Sequence, residues 1–415
     1  MKFLILSNND LDGVGQHVDR LNSTLNNLGH ESTALVLHKS SQSKNIFKIK
    51  KSLFTKFFYY PLNFLKKNLN KLFSFGFSGV NIKIIKENIY QADIILIYTF
   101  SNLLSIDNLE ELLQSKKIVY FRPLDMELAS GGCHVNFDDE GQECGEYQKN
   151  CSNCPQLNFI NFFNISSKIF LKKKRILEKY SPKIFVENTF TKRIYEKSHS
   201  CKNLKITPIF LGINQNRTKD FKKLDSRKKL KLDPNDKILL YGSFNLDAKH
   251  KGGEIIHSIL EILSKKINHS NKVKLITFGR KNNFQINIKN IEWLHLGVIK
   301  DDYKLNLLYR AADLMLSPSI GCNGPHMVVE AICNNLPVIC FDQGVAIDSI
   351  INGINGFRVK CFDNKLFANK IYESLFKIKF DFNNNQNMNI KRSFSSINEA
   401  NKIIDISKND LNKNT

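Results

Sequence analysis

The stretch from Ala311 to Asp348, AADLMLSPSIGCNGPHMVVEAICNNLPVICFDQGVAID, constrains the fold more than any other. Asp313 to Ser317 is a short apolar run, and Ser319 to Gly324 is a small polar loop that cannot continue a strand. Pro325 suits the first turn of a helix, where its missing N–H would have had no partner. Met327, Val328, Ala331 and Ile332 form one face of that helix, and Leu336 to Phe341 resumes as a buried strand. The helix start directs unpaired backbone N–H groups and a positive dipole end into the loop, which makes an anion site with phosphate as its usual guest. Glu330 lies one turn beyond His326 on the same side of the helix. A carboxylate there accepts two hydrogen bonds from neighbouring hydroxyls, as on a ribose or hexose, although an ordinary solvated helix has the same pattern.

The same alternation opens the chain. Lys2 to Ser7 reads as a strand, Asn8 to Gln16 as a loop with Gly13 and Gly15, Val18 to Leu28 as a helix and Thr33 to Leu37 as a second strand. That is the first βαβ unit of a doubly wound sheet, with its glycine loop where ligands bind. Ala92 to Tyr98, Lys117 to Phe121 and Lys183 to Glu187 continue the series, and Ser198 to Lys205 reads as a linker. Lys237 to Ser243, Val273 to Phe278, and Glu292 to Leu296 begin a second series, so two parallel sheets are expected. A chain of 415 residues is too long for one core and suits two domains. The Asn-rich FDFNNNQNMN reads as a flexible crossing, and Ser395 to Ile406 as a terminal helix followed by frayed residues.

Lys+Arg 61 against Asp+Glu 39 leaves +22, which favours a polyanionic or anionic-membrane partner, with part of the excess explained by a Lys-, Asn- and Ile-rich composition. From Ser32 to Lys86 there is no acid, and eleven lysines alternate with aromatic and aliphatic residues. Three readings stand: a basic interfacial helix on anionic lipid, an excursion packed on its own domain, and, ranked low without a binding module to frame it, nucleic acid. No apolar run reaches the ~18–20 residues that span a bilayer, and the start is no signal peptide. Nine cysteines, several in apolar runs, suit a reduced cytoplasm. Cys133, Cys144, Cys151 and Cys154 include one C-x-x-C and could close a tetrahedral zinc site, with disulfides and free thiols as the alternatives.

Pro318, Ser319, Cys322, Asn323 and Pro325, followed by Glu330, Ala331 and Leu336-Pro337-Val338, resemble the nucleotide-sugar site of glycosyltransferase family 4. In its bacterial surface-polysaccharide, colanic-acid-type branch the loop runs Pro-Ser-x-x-acid-Asn-x-Pro, so Cys322 replaces an acid that would have held the sugar. DGVGQHVDRLNSTLNNLGHESTALVLHK, GGCH and CxNCPQL are similar to the same branch. The resemblance implies an α/β GT-B fold, two Rossmann-like doubly wound domains facing across a cleft. The expected domains are 1–198 for the acceptor, carrying a basic aromatic excursion at 39–86 and a Cys-rich insertion at 131–157, and 206–380 for the donor. Residues 388–415 would return as a helix to the N-terminal domain.

It implies retaining hexosyl transfer from a nucleoside diphosphate sugar to a glycan or lipid-linked acceptor, in the cytoplasm or peripheral to the inner membrane face. No cofactor is required on this reading, and a structural zinc at the cysteines stays one alternative beside disulfides and free thiols. Glu330 would hold the ribose, and the amides around Asn323, Gly324 and His326 the diphosphate. Lys251 would clamp the diphosphate, Ser243 would stand where the family has an arginine, and Gly13 and Gly15 would admit phosphates or acceptor. Asp125 and His134 would assist the reaction, while Leu124 and Tyr98 replace two imidazoles. Asp10-Leu11-Asp12 spells a metal-binding tripeptide of another fold, at the wrong place for it. A catalytically weak protein acting as a glycan- or nucleotide-binding scaffold is the competing answer, and a GT-B epimerase or phosphorylase a third. The sequence leaves the oligomeric state open.

Overall fold

The structure is a computed structural model that describes residues 1–10, 13–49, 73–77, 80, 82–137, 142–157, 163–213, 221–321 and 324–414. Leu11, Asp12, Cys322, Asn323 and the centre of the basic aromatic excursion, including Lys66, Lys67 and Lys71, lie outside these residues. The chain forms two compact units, Met1–Gly212 with Ser396–Thr415, and Ile213–Ser395.

The first unit holds a parallel sheet of β1 (Lys2–Asn9), β2 (Glu31–His38), β3 (Ile46–Lys48), β4 (Ile94–Ile97), β5 (Ile118–Phe121), β6 (Lys183–Val186) and β7 (Ile206–Pro208). Its order is β3-β2-β1-β4-β5-β6-β7. Period-two alternation divides its apolar side chains between two cores. Leu4, Leu6, Ile95 and Ile97 pack on one face, and Phe3, Ile5, Ile94 and Leu96 on the other. The second face is covered by the helix Gly13–Asn27 and by Ala400, Ile403 and Ile404 of the terminal helix Ser396–Asn414. Ile206–Pro208, expected to open the second domain, is instead the edge strand of the first sheet, in register Ile184 to Ile206 with β6.

The second unit holds β8 (Lys237–Asn245), β9 (Val273–Arg280), β10 (Ile291–His295), β11 (Leu314–Ser317), β12 (Val338–Phe341) and β13 (Gly356–Val359) in the order β10-β9-β8-β11-β12-β13. The described strands of both sheets pair in parallel, so the α/β, doubly wound reading of each half holds. The Asn-rich segment expected to be a flexible crossing contains the helix Asn385–Ser393. Asn384 caps it by accepting from the Gln386 N–H, and Asn387 is fully buried, bonded to Phe382 and Asn355. Asparagine acts here as a cap and a buried bonding group.

Candidate functional site

Ligands of an open parallel sheet bind beyond the carboxyl ends of its strands, where the chain order reverses. In the second unit that reversal lies between β8 and β11. Two loops therefore define the site, the one after β8 with Lys251 and the one after β11 that leads into the helix His326–Cys333. They are bonded to each other, since the Ile320 N–H donates to the His250 carbonyl at 2.9 Å. Gly252 sits at φ +81°, and a Cβ there would stand 2.2 Å from the Pro318 carbonyl oxygen. Only glycine meets both the left-handed backbone and the close approach. From the other side the Tyr241 hydroxyl donates to the Lys251 carbonyl at 3.0 Å, fixing the backbone that carries the Lys251 ammonium. Burial, with the Lys251 charge adding to it, lowers the neighbouring His250 imidazole to about 4, so at neutral pH the cation of this loop pair is lysine.

The helix His326–Cys333 begins after Pro325, and among the described residues no side chain caps its start. The backbone there keeps its attraction for an anion. Pro325 is the cap residue, just before the first helical position expected for it, and Val328, Val329, Ala331 and Ile332 are the buried face, with Met327 half-buried. Gly324 packs against Val345, and His326 is half-buried at the helix start. Gln343 braces the loop, donating to the Ser319 carbonyl and accepting from the Gly321 N–H. Glu330 is half-buried on the helix, and one of its oxygens accepts from the buried Tyr309 hydroxyl at 2.8 Å. Lys251, the helix start and Glu330 thus belong to one unit and to adjoining elements. Ser243 is buried, and its hydroxyl turns back to the Asn245 carbonyl at 3.0 Å.

In the first unit the order reverses between β1 and β4. Gly13 and Gly15 follow β1, but the helix begins at Gly13, so both lie in its first turn and not in a loop as expected. Gly13 is exposed, whereas a Cβ on buried Gly15 would stand 2.3 Å from the Asp10 carbonyl carbon. Gly15 thus allows the helix to approach the end of β1 closely. Asp10 is turned to structure: its carboxylate accepts from the Ser40 and Ser41 N–H groups and the Ser41 hydroxyl.

Asp125 and His134, beyond β5, form a direct pair, with His134 Nδ1 2.7 Å from Asp125 Oδ2. His134 Nε2 lies 2.8 Å from the Ser74 hydroxyl, and the other Asp125 oxygen accepts from the Glu127 N–H. Ligand atoms of Asp125, Glu127 and His134 lie within 4.8 Å of one another, a spacing a metal could use. Both imidazole nitrogens already have protein partners, so the cluster is a satisfied hydrogen-bond chain without one. Tyr98 is buried, its ring 5.4 Å from that of His17, and Leu124 packs into the core. Cys133, Cys144, Cys151 and Cys154 all line one cavity.

Several groups escaped the sequence reading because their partners are distant in the chain. Tyr309 meets Glu330 across two helices, and no local pattern marks the pair. Glu399 of the terminal helix is held by Arg122, by His17 Nε2 at 2.9 Å and by the Gly212 N–H at 2.7 Å. Glu187, at the end of β6, is buried with Oε2 lacking a hydrogen-bond partner among the described residues, and burial raises its carboxyl to about 8. No described helix is long and apolar enough to cross a membrane.

Residues 222–389 match the family model described as Glycosyl transferases group 1, so the second unit carries a glycosyltransferase domain. No curated protein matches the chain in sequence. Among solved structures it is similar to a sucrose-phosphate synthase from Thermosynechococcus elongatus, with TM-score 0.70 and 15% identity over 100% of both chains. It is similar to Anabaena Alr3699/HepE in complex with UDP and glucose, with TM-score 0.61 and 13% identity over 98% of this chain and 99% of the other. WaaG, a glycosyltransferase involved in lipopolysaccharide biosynthesis, gives TM-score 0.57 and 14% identity over 96% and 95%. At these identities the likeness establishes the fold, and the enzyme class rests on the domain.

Proposed function

We propose that this chain, a glycosyltransferase by its second unit, moves a sugar with retention from a nucleoside diphosphate donor to a glycan or lipid-linked acceptor in bacterial surface-polysaccharide synthesis. The observation that carries the reading is the bonded pair of loops at the β8/β11 reversal, which puts Lys251, an uncapped helix start and Glu330 on adjoining elements of the matched domain. A nucleoside diphosphate has complementary parts: an anion for the lysine and the helix start, and a ribose diol for the carboxylate.

In the proposed reaction the acceptor hydroxyl oxygen bonds to the anomeric carbon as the bond from that carbon to the diphosphate oxygen breaks. The departing phosphate takes the hydroxyl proton, so no protein base is needed. Lys251 and the helix start act on charge that grows on the leaving group, and fixed charge of this kind supplies much of the acceleration in many enzymes. Tyr309 holds one Glu330 oxygen, leaving the other for a ribose hydroxyl. Gly324 and His326 are assigned to the diphosphate, as is Asn323 from its sequence position. In the first unit the Asp125–His134 pair is assigned to the acceptor. UDP is the first nucleotide to try, because HepE, of like fold, was solved with UDP and with UDP-glucose.

The buried Ser243 hydroxyl, which donates to the Asn245 carbonyl, supports a second reading, a weakly active scaffold that binds nucleotide or glycan. A screen of UDP-, GDP- and dTDP-sugars separates the two, reading thermal stabilisation and nucleoside diphosphate release with and without a lipid-linked acceptor pool. Stabilisation by one nucleotide class with release is the expected result. Stabilisation without release selects the scaffold, and folded protein that no donor stabilises contradicts the donor site. The lysine-rich segment places the enzyme on an anionic membrane surface in this proposal. Reversing the charge of Lys66, Lys67 and Lys71 should then release it from anionic liposomes at physiological salt, and equal pelleting rejects that location.

A further inference from the structure

We infer that Cys133, Cys144, Cys151 and Cys154 bind one structural zinc ion, which fixes the fold of the insertion between β5 and β6. The four thiols come from a 22-residue span and line one cavity of ≈ 20 Å³, room for one water-sized particle and too small for an organic ligand. Sulfurs about 2.3 Å from a tetrahedral zinc stand about 3.8 Å apart along each edge. Cys133 Sγ and Cys154 Sγ are 3.9 Å apart and match one such edge, whereas no three of the four sulfurs lie within 4.8 Å of one another, so Cys144 and Cys151 close on that pair when the ion binds.

The backbone around the thiols is arranged for that purpose. Cys151 holds the left-handed φ of +56°, uncommon outside glycine and costing on the order of 1 kcal/mol. Its N–H donates to the Glu146 carbonyl, its carbonyl accepts from the Ser166 hydroxyl, and its sulfur accepts from the Gly131 N–H at 3.2 Å. Amide donors of this kind orient ligands and spread their charge. Cys133 is fixed through its carbonyl, which accepts from Ser130, and Cys144 through its N–H, which donates to Asn136.

Four thiolates on a dication carry a net charge of about −2. A buried cation offsets part of it: the Lys173 ammonium is 1% exposed, donates to the Glu127 carbonyl and interacts electrostatically with Cys133 and Cys151. Cys154 packs in a small cluster with Phe73, Phe75, Ile106, Leu157, Ile169 and Ile176, while Cys151 belongs to the main core of the unit, so an ion held by both would cross-link the two clusters. The four cysteines belong to the first unit and Lys251 and Glu330 to the second, and the ion needs no role in sugar transfer.

The test uses the full chain purified under reducing conditions without a metal-affinity step. Elemental analysis should find about one zinc per chain. Stripping with a thiol-directed mercurial and a chelator should lower the melting temperature, and Zn²⁺ should restore it. Co²⁺ in place of zinc should give the charge-transfer absorption of a tetrahedral thiolate site. Cys154→Ser should lower zinc content at least about five-fold while Cys361→Ser, in the second unit, leaves it unchanged. If Cys154→Ser does not fold, the wild-type cobalt spectrum decides. Protein without zinc that takes up neither added ion overturns the inference, as does an intact mass four hydrogens light, which would report two disulfides.

Discussion

Glu399 and Glu330 are both helical glutamates held by distant partners, and their surroundings differ as those of a structural carboxylate and of one proposed to meet a ligand would. Glu399 is 1% exposed, and both its oxygens are engaged by Arg122, His17 and the Gly212 N–H. Burial alone would raise its carboxyl. The charges of His17 and Arg122, with the hydrogen bonds from His17 and Gly212, outweigh that and hold it at about 2. Burial also lowers the His17 imidazole against the pull of Glu399, so Arg122 is the dependable counter-charge. The knot ties the terminal helix to the end of β5 and to Gly212, where the chain leaves the first unit. Glu330 is half-buried, with Tyr309 on one oxygen. Both oxygens of Glu399 are taken by the protein, whereas the tyrosine engages one oxygen of Glu330.

Breaking the closed network should have the largest effect on folding. Glu399→Ala leaves Arg122 buried without its partner and should cost about 3–5 kcal/mol in denaturant unfolding. An unfolding midpoint equal to wild type would show that the knot is not structural. Lys251→Ala should instead spare the fold and reduce turnover about 10²–10³-fold, roughly 2.7–4 kcal/mol of transition-state stabilisation. A variant that unfolds as readily as Glu399→Ala would erase the distinction between the two regions.

A third glutamate sharpens the contrast through pH. Glu187 is as buried as Glu399 but has no cation bonded to it, and burial raises its carboxyl to about 8. Between the unfolded value of about 4.5 and that of the folded state, the native chain holds one proton more than the unfolded chain. Stability contributed by this group therefore falls as pH rises through that window, by at most about 1.4 kcal/mol per pH unit. Glu399 has the opposite sign: its contribution is present above about 4.5 and is lost as pH falls toward 2. Glu187→Gln should flatten the slope between pH 5 and pH 8 by up to that amount per unit. An unchanged slope in urea titrations would show that the carboxyl is already ionised at neutral pH.

The periodic apolar strands were legible because each is local. β1, β2, β4, β5, β6 and β8 through β12 fall where short apolar runs predict them, and both reversal loops follow from their order. Local signals failed at ends and joints. Gly13 and Gly15 read as a loop but start a helix, because Gly15 is needed where that helix passes the end of β1. The polar tail expected to fray is helical to Asn414, since Asp410 accepts from the Tyr120 hydroxyl and from Lys183. Within the candidate site, Lys251 and Glu330 came from motif position, which places residues along a chain. Tyr309, Gln343 and the Arg122–Glu399 pair are joined across 21 to 277 residues, distances at which one sequence holds no pairing signal.

Calorimetric titration of wild type, Glu330→Ala and Tyr309→Phe with whichever nucleoside diphosphate sugar the screen selects tests the central claim most directly. Loss of a carboxylate bonded to a ribose hydroxyl should weaken binding about 10- to 100-fold at unchanged melting temperature, and loss of the tyrosine that aims it by less, about 1 kcal/mol. Equal affinity in wild type and Glu330→Ala would contradict the assignment of Glu330 to the donor and leave it an ordinary helical carboxylate.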